Sequence, residues 1–255
     1  MSLDIIENMH SSLMFVPTKD FISSPENDGI KYEEVFIDTP DGEKLHGYFL
    51  LSSEKTKKTM IYLHGNADNV SSWYKSCFTI QKHVPVNALI IDYRGYGKST
   101  GKPTRKGVII DAQAMYQYLI QRGLTSNDIS IYGMSIGGAI GLELAIRVKV
   151  KSIVIQSSIS SIQEVAKDFY PVIPQFIIRN DLFNSAENIK KITVPVFISH
   201  GSNDETVPVK HSYKLYEQAN EPKKLLILKG AGHNELGNYF NKEYFNTLRE
   251  LFTYI

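Results

Sequence analysis

ISIYGMSIGGAIGLELAI, residues 129–146, is the stretch on which the fold turns. Its opening ISIY is apolar and β-branched, the pattern of a short buried strand, and its closing AIGLELAI has the composition of a buried helix. Gly133-Met-Ser-Ile-Gly137 joins the two with no room for an ordinary loop. A Gly-x-Ser-x-Gly pattern alone is modest support for any chemistry, but a strand before it and a helix after it are what a nucleophile elbow needs. The turn is tight, so Gly133 and Gly137 are expected where backbone and helix approach each other. Ser135 is then held exposed at the C-terminal edge of a sheet.

Outward from the elbow, short apolar runs alternate with helical patterns and no fixed-period repeat intervenes. Residues 32–37 and 44–51 are strand-like and flank the turn Thr39-Pro-Asp-Gly42, which predicts an antiparallel hairpin. Further strands are expected at 59–63, 88–92, 129–132, 152–156, 194–199 and 225–228. Helices are expected at about 69–82, at 106–121 with Gly123 as its stop, from the elbow to about 148, and near 209–219 and 239–252. The predicted fold is α/β: one domain over residues 1–255, with a mainly parallel eight-stranded sheet flanked by helices. Residues 157–193 exceed an ordinary connection and hold a dense aromatic cluster broken by Pro171 and Pro174. They predict a small helical cap in which Phe169, Tyr170, Ile173 and Phe176 line an apolar substrate pocket, the plain alternative being a helical cover for the sheet.

Charge narrows the partners. The chain has 28 basic and 27 acidic residues and a net charge of +1, scattered rather than blocked, so no nucleic-acid footprint is present. Cys77 is the only cysteine, which excludes an internal disulfide and a cysteine-rich metal site and fits a reducing, cytoplasmic setting. The opening MSLDIIENMHSSLMFVP has no basic n-region and no apolar run long enough to span a bilayer, so no integral membrane segment is expected in this chain. Leu3, Ile6, Met9 and Leu13 would share one face of a helix there, suited to docking. The oligomeric state has no signature in the sequence.

A serine hydroxyl is a poor nucleophile until a base takes its proton, and the base needs a carboxylate to orient it. In a sheet of this kind the order along the chain is Ser, then Asp or Glu, then His. Asp204 follows the predicted strand VFISH in the loop GSNDETVP, and His233 follows LLILKG in the loop AGHNE. Both therefore reach the same sheet edge as Ser135. Glu205 is the adjacent competitor for the acid, with its side chain pointing elsewhere. Asp111 and Glu143 fall within helical patterns and are expected to be solvated. His64 and His200 break the expected order, and His10, His46, His83 and His211 have no supporting motif.

Acyl transfer also requires backbone N–H donors for the developing oxyanion. Ile136, after the nucleophile, is expected to supply one, and the loop His64-Gly65-Asn66-Ala67 the other, from Asn66 with Ala67 as fallback. Nearby, DYRGYGKSTG at residues 92–101 ends like a phosphate-binding loop. A P-loop, however, needs glycine where this chain has Asp92, and Gly101-Lys-Pro103 opens a turn rather than a helix. Asp92 and Arg94 are expected instead to brace the loop of residues 64–69, with surface salt bridging as the plain alternative.

Together YLHGNADN, DYRGYGKSTGKPT, YGMSIGGA, SHGSNDETVP and GAGHNE resemble the α/β-hydrolase superfamily, from about Phe15 to the end of the chain. More narrowly they are similar to the α/β-hydrolase domain-containing branch that includes serine-aminopeptidase-like hydrolases and protein depalmitoylases. Members of that branch often carry a membrane segment ahead of a motif like Leu13-Met-Phe-Val-Pro17. The resemblance implies the α/β-hydrolase fold and a serine hydrolase with Ser135 as nucleophile, Asp204 as orienting acid and His233 as base, with no metal or organic cofactor. The expected substrate is a small acyl compound, an ester or thioester. The alternatives are an aminopeptidase-like amidase and a non-catalytic ligand-binding protein on the same fold.

Overall fold

The computed structural model describes residues 14–169 and 183–254. The chain groups into two compact units, residues 1–129 and 130–255, and eight strands make up its main sheet.

In the first unit β1 (Val16–Pro17) precedes the hairpin of β2 (Tyr32–Asp38) and β3 (Lys44–Leu50). The hairpin is antiparallel, with Val35 opposite Gly47 and Ile37 opposite Leu45, so Val35 and Ile37 turn inward while Glu34 and Phe36 turn outward. Next come β4 (Thr59–Leu63), β5 (Ala67–Asp68), helix α1 (Val70–Gln81), β6 (Asn87–Ile91) and helix α2 (Arg105–Gln121). The strands of this unit lie in the order β4-β6-β3-β2, with β4 and β6 parallel. Both are buried along their whole length, which is why they read as unbroken apolar runs rather than as alternation. The helices begin where side chains take up free N–H groups: Asn69 accepts from Ser71 N–H and Thr104 from Gly107 N–H.

One pairing has no counterpart in the sequence expectations. β1 runs parallel to β5, with Val16 opposite Ala67, and forms a separate two-stranded ladder. The segment that follows keeps to the same surface: Gly97 N–H donates to Thr18 O at 2.8 Å, Ile22 N–H to Ser71 Oγ at 3.0 Å, and Asn69 Nδ2 to Asp20 O at 2.8 Å. The docking face expected around Leu3, Ile6, Met9 and Leu13 lies outside the described residues.

The second unit contains β7 (Ile129–Met134), α3 (Ile136–Ala145), β8 (Ser152–Gln156), α4 (Ile162–Phe169), α5 (Ser185–Ile189), β9 (Val196–Gly201), α6 (Lys210–Gln218), β10 (Lys223–Leu228) and α7 (Lys242–Arg249). Its four strands are all parallel and lie in the order β7-β8-β9-β10, with Tyr132 opposite Val154, Ile155 opposite Ile198 and Ile198 opposite Leu225. Parallel register carries the ends of β7, β9 and β10 to one edge, where the loops bearing Ser135, Asp204 and His233 emerge. The cap residues expected at positions 170, 173 and 176 lie outside the described residues; Phe169, at the end of α4, is exposed.

Two helical acids depart from expectation. Asp111 and Glu143 are buried, not solvated. Each has a cation: Glu143 pairs with Arg147 one turn later at 2.8 Å, and Asp111 with Arg94 at 2.8 Å. A paired cation makes a buried carboxylate tolerable; Arg94 lies outside the helix of Asp111, where helical periodicity gives no sign of it, whereas Arg147 stands at i+4 of Glu143.

Candidate active site

Ser135 occupies the turn between β7 and α3 with φ 55° and ψ −124°, a conformation that L side chains rarely adopt. Its surroundings hold it there. Ser135 N–H continues the β7–β8 ladder to Gln156 O at 2.9 Å, and its carbonyl accepts from Ser158 Oγ at 2.7 Å and Gly138 N–H at 3.0 Å. A Cβ on Gly133 would lie 2.4 Å from Gly137 O and 2.6 Å from Gly138 Cα, so only glycine lets the strand pass the helix this closely.

The loops after β9 and β10 are stitched together. Asn203 N–H donates to Ala231 O at 2.9 Å, and Gly230 N–H to Ser202 Oγ at 2.8 Å. A Cβ on Gly201 would fall 2.3 Å from Ala231 O, so a glycine is again required for the approach. The stitching brings His233 Nδ1 to 2.7 Å from Asp204 Oδ2. Asp204 Oδ1 accepts the N–H groups of Thr206 at 2.9 Å and Val207 at 2.7 Å, as an aspartate does in an Asx turn. Burial opposes ionisation of Asp204, but hydrogen bonds from His200, His233 and Val207 outweigh it and hold the carboxyl well below the usual carboxylate range.

His200 is the residue that chain order had set aside. Its side chain is fully buried, and Nε2 lies 3.2 Å from Asp204 Oδ2. The signal in the sequence was its place at the end of a strand, four residues before the acid, a spacing that reads equally well as ordinary core.

The loop that leaves β4 in the first unit is fixed mainly through its carbonyls. Asn66 O accepts from Val16 N–H at 2.9 Å and Tyr96 OH at 2.6 Å, and Ala67 O accepts from Trp73 Nε1 at 2.8 Å. His64 Nδ1 donates to Gly65 O at 2.7 Å, and its ring packs against Tyr93 with centroids 4.2 Å apart. Burial lowers the pKa of His64, so the ring is neutral. Asp92 Oδ1 accepts Val70 N–H at 2.8 Å, where this loop enters α1, and Oδ2 faces His46 Nδ1 at 3.2 Å. His46 Nε2 in turn reaches Glu34 at 2.9 Å.

Arg94 does not join that loop. Its Nε bonds Asp111 at 2.9 Å, and its two terminal nitrogens form a fork on Asp41 at 2.8 and 3.0 Å. It ties the 92–101 stretch to α2 and to the hairpin turn, which corrects the bracing role expected of it for residues 64–69. Burial pushes the Asp111 carboxyl up to about 6 despite Arg94, whereas the exposed Asp41 beside the same guanidinium is lowered to about 2.

Among the described residues no cluster of three or more His, Cys, Asp or Glu is arranged to hold a metal ion. Nor, among them, is any helix long and apolar enough to cross a membrane.

Comparison with known proteins agrees with this fold. Residues 58–176 match the model of the alpha/beta hydrolase fold. Human alpha/beta hydrolase domain-containing protein 17B is 33% identical over 219 residues, covering 85% of this chain and 74% of its own length. Protein bem46 of Schizosaccharomyces pombe is 30% identical over 215 residues, 81% of this chain and 72% of its own. Among solved structures, a Pyrococcus furiosus esterase superposes with a TM-score of 0.76 at 21% identity, over 93% of this chain and 97% of that one. By sequence and by fold, the chain belongs to the α/β-hydrolase family.

Proposed function

We propose that the protein is a serine hydrolase that cleaves a carboxylic ester or thioester through an acyl-enzyme on Ser135. The observation that carries this reading is the strained Ser135 elbow at the same sheet edge as a formed Asp204–His233 pair. With Nδ1–H donated to Asp204, the His233 ring in its neutral form leaves Nε2 as a free base. Ser135 Oγ attacks the carbonyl carbon while its proton passes to Nε2, and the carbonyl π electrons move to oxygen. On collapse the bond to the leaving group breaks, and His233 returns the proton to the departing alcohol or thiol. Water then adds to the acyl-enzyme in the same way, releasing the acid and restoring Ser135.

The oxyanion is assigned to Ile136 N–H, at the positive end of α3, with Asn66 N–H as the second donor on sequence grounds. His64, Gly65 and Asp92 are assigned to holding the Asn66 loop. Small acyl substrates and no cofactor are part of the same proposal.

Labelling with a fluorophosphonate followed by peptide mass spectrometry tests it. A single adduct on Ser135, absent from Ser135→Ala, is expected, together with turnover of an ester or thioester in a panel of graded acyl length. Folded wild-type protein that takes no label overturns the assignment.

A further inference from the structure

Asp204 is held by more groups than a triad acid needs for its histidine alone. His200, in β9, places Nε2 2.8 Å from Val207 O and 3.2 Å from Asp204 Oδ2, and Nδ1 2.6 Å from Ser212 Oγ on α6. All of this is out of solvent: His200 and Ser212 are 0% exposed. Their roles follow from donor chemistry. A carbonyl and an ionised carboxylate only accept, so the nitrogen facing both must carry the proton. A neutral ring with that proton is the Nε2–H form, sharing it between Val207 O and Asp204 Oδ2, and its Nδ1 lone pair receives the Ser212 hydroxyl. In the opposite tautomer, Nε2 would set a lone pair against two acceptors in a buried site.

The carboxylate is thereby filled. Oδ1 takes Thr206 and Val207 N–H, Oδ2 takes His233 Nδ1–H, and the His200 Nε2–H, bonded to Val207 O at 2.8 Å, also lies 3.2 Å from Oδ2 as a weaker, shared donor. Four donors match the four lone-pair sites of the group and leave it one orientation. With His200 removed, Oδ2 keeps only the His233 donor, and the carboxylate can turn about the two bonds to Oδ1. The His233 ring would turn with it.

Building on the serine-hydrolase reading, we propose that His200 and Ser212 are positioning residues for the reaction: Ser212 fixes the His200 tautomer, and His200 fixes the Asp204 carboxylate against which His233 is aligned. Neither is placed to touch the substrate. Their effect is on the alignment of the base, and misalignment of a catalytic group by about 1 Å costs about a hundredfold in rate.

The test uses the full chain as wild type, His200→Leu, His200→Gln and Ser212→Ala. Turnover of the best ester from the panel is normalised to the fraction of sites that react with fluorophosphonate, so that misfolded protein does not count. For His200→Leu, kcat per active site is expected to fall about tenfold to a hundredfold with KM unchanged. In His200→Gln the amide nitrogen can stand in for Nε2, and most of the loss should be recovered. Ser212→Ala, which frees the ring without emptying the site, should fall between, and it serves as the probe if the leucine variant does not fold. Nitrogen-15 spectra of the imidazoles in wild type should contain a neutral Nε2–H signal that vanishes in His200→Gln, which separates it from His211, whose Nε2 faces Asp168 and whose Nδ1 accepts Ser160 N–H.

Wild-type kcat in both His200→Leu and Ser212→Ala, or a His200 signal of the Nδ1–H form or of imidazolium, would overturn the proposal. Failure of the hydrolase reading is recognised separately. Wild type would then take no fluorophosphonate and cleave no ester, while the imidazole spectra would still decide whether His200 donates to Asp204.

Discussion

Replacing Asp204 by Asn exchanges one atom and should reverse one hydrogen bond. Oδ1 receives Thr206 N–H at 2.9 Å and Val207 N–H at 2.7 Å, and an amide satisfies both only with its own carbonyl oxygen in that place. Its NH2 group then faces His200 Nε2 at 3.2 Å, whose proton stays with Val207 O, and His233 Nδ1, where the carboxylate accepts at 2.7 Å. Two donors cannot share that contact, so His233 must carry its proton on Nε2, the atom that has to accept from Ser135. Turning the amide over restores the competent tautomer but loses two backbone hydrogen bonds worth about 1 kcal/mol each. A penalty of about 2 kcal/mol leaves about one molecule in thirty competent. Loss of the negative charge opposite the forming imidazolium adds to this. The total fall in kcat is expected near ten-thousand-fold, the size known for the corresponding exchange in a serine protease. The assay is ester turnover near pH 7.5, with circular dichroism to verify the fold. A well-folded Asp204→Asn enzyme keeping more than a tenth of wild-type kcat would refute the tautomer reasoning.

Arg94→Met should leave the Asp111 carboxylate buried without its cation and destabilise the protein by about 3–5 kcal/mol at pH 8. In wild type the folded-state value of Asp111, about 6, lies above its ordinary 3.8, so the folded protein binds the proton more tightly and stability falls as pH rises between the two. Without Arg94 the carboxyl climbs further, and the decline continues past pH 6 at up to about 1.4 kcal/mol per pH unit. Urea midpoints at pH 5, 6, 7 and 8 measure it, and a constant difference between variant and wild type would refute it. Gly201→Ala sets a methyl 2.3 Å from Ala231 O and should cost about 1–3 kcal/mol by forcing the two loops apart. Thermal melts and ester turnover should both decline; an unchanged melting temperature would show that the close approach is relaxed at little cost.

The elbow was legible because its signal is local: strand, tight turn and helix follow one another within residues 129–145. The order of Ser135, Asp204 and His233 was legible because parallel strands deliver successive loops to one edge, and no contact had to be known in advance. What escaped depends on distant partners. Asp111 looks like a surface helix acid until Arg94 is placed beside it. The fork of Arg94 on Asp41 joins residues that nothing in the local pattern relates. The ladder of Val16–Pro17 on Ala67–Asp68 is two residues long, too short for a period-2 pattern, and one member is a proline. His200 was set aside because chain order tests for a general base and is blind to a donor behind the acid.

That short ladder also has a mechanical meaning. Parallel strands that share hydrogen bonds transmit tension along their axis, and Val16 N–H is attached to Asn66 O, not to the main sheet. A pull on the chain ahead of residue 14 therefore meets the Asn66 carbonyl before it meets β2. Among the described residues, tension arriving from the N-terminal side of Phe15 passes through Val16 to the His64–Asp68 loop before it reaches the main sheet.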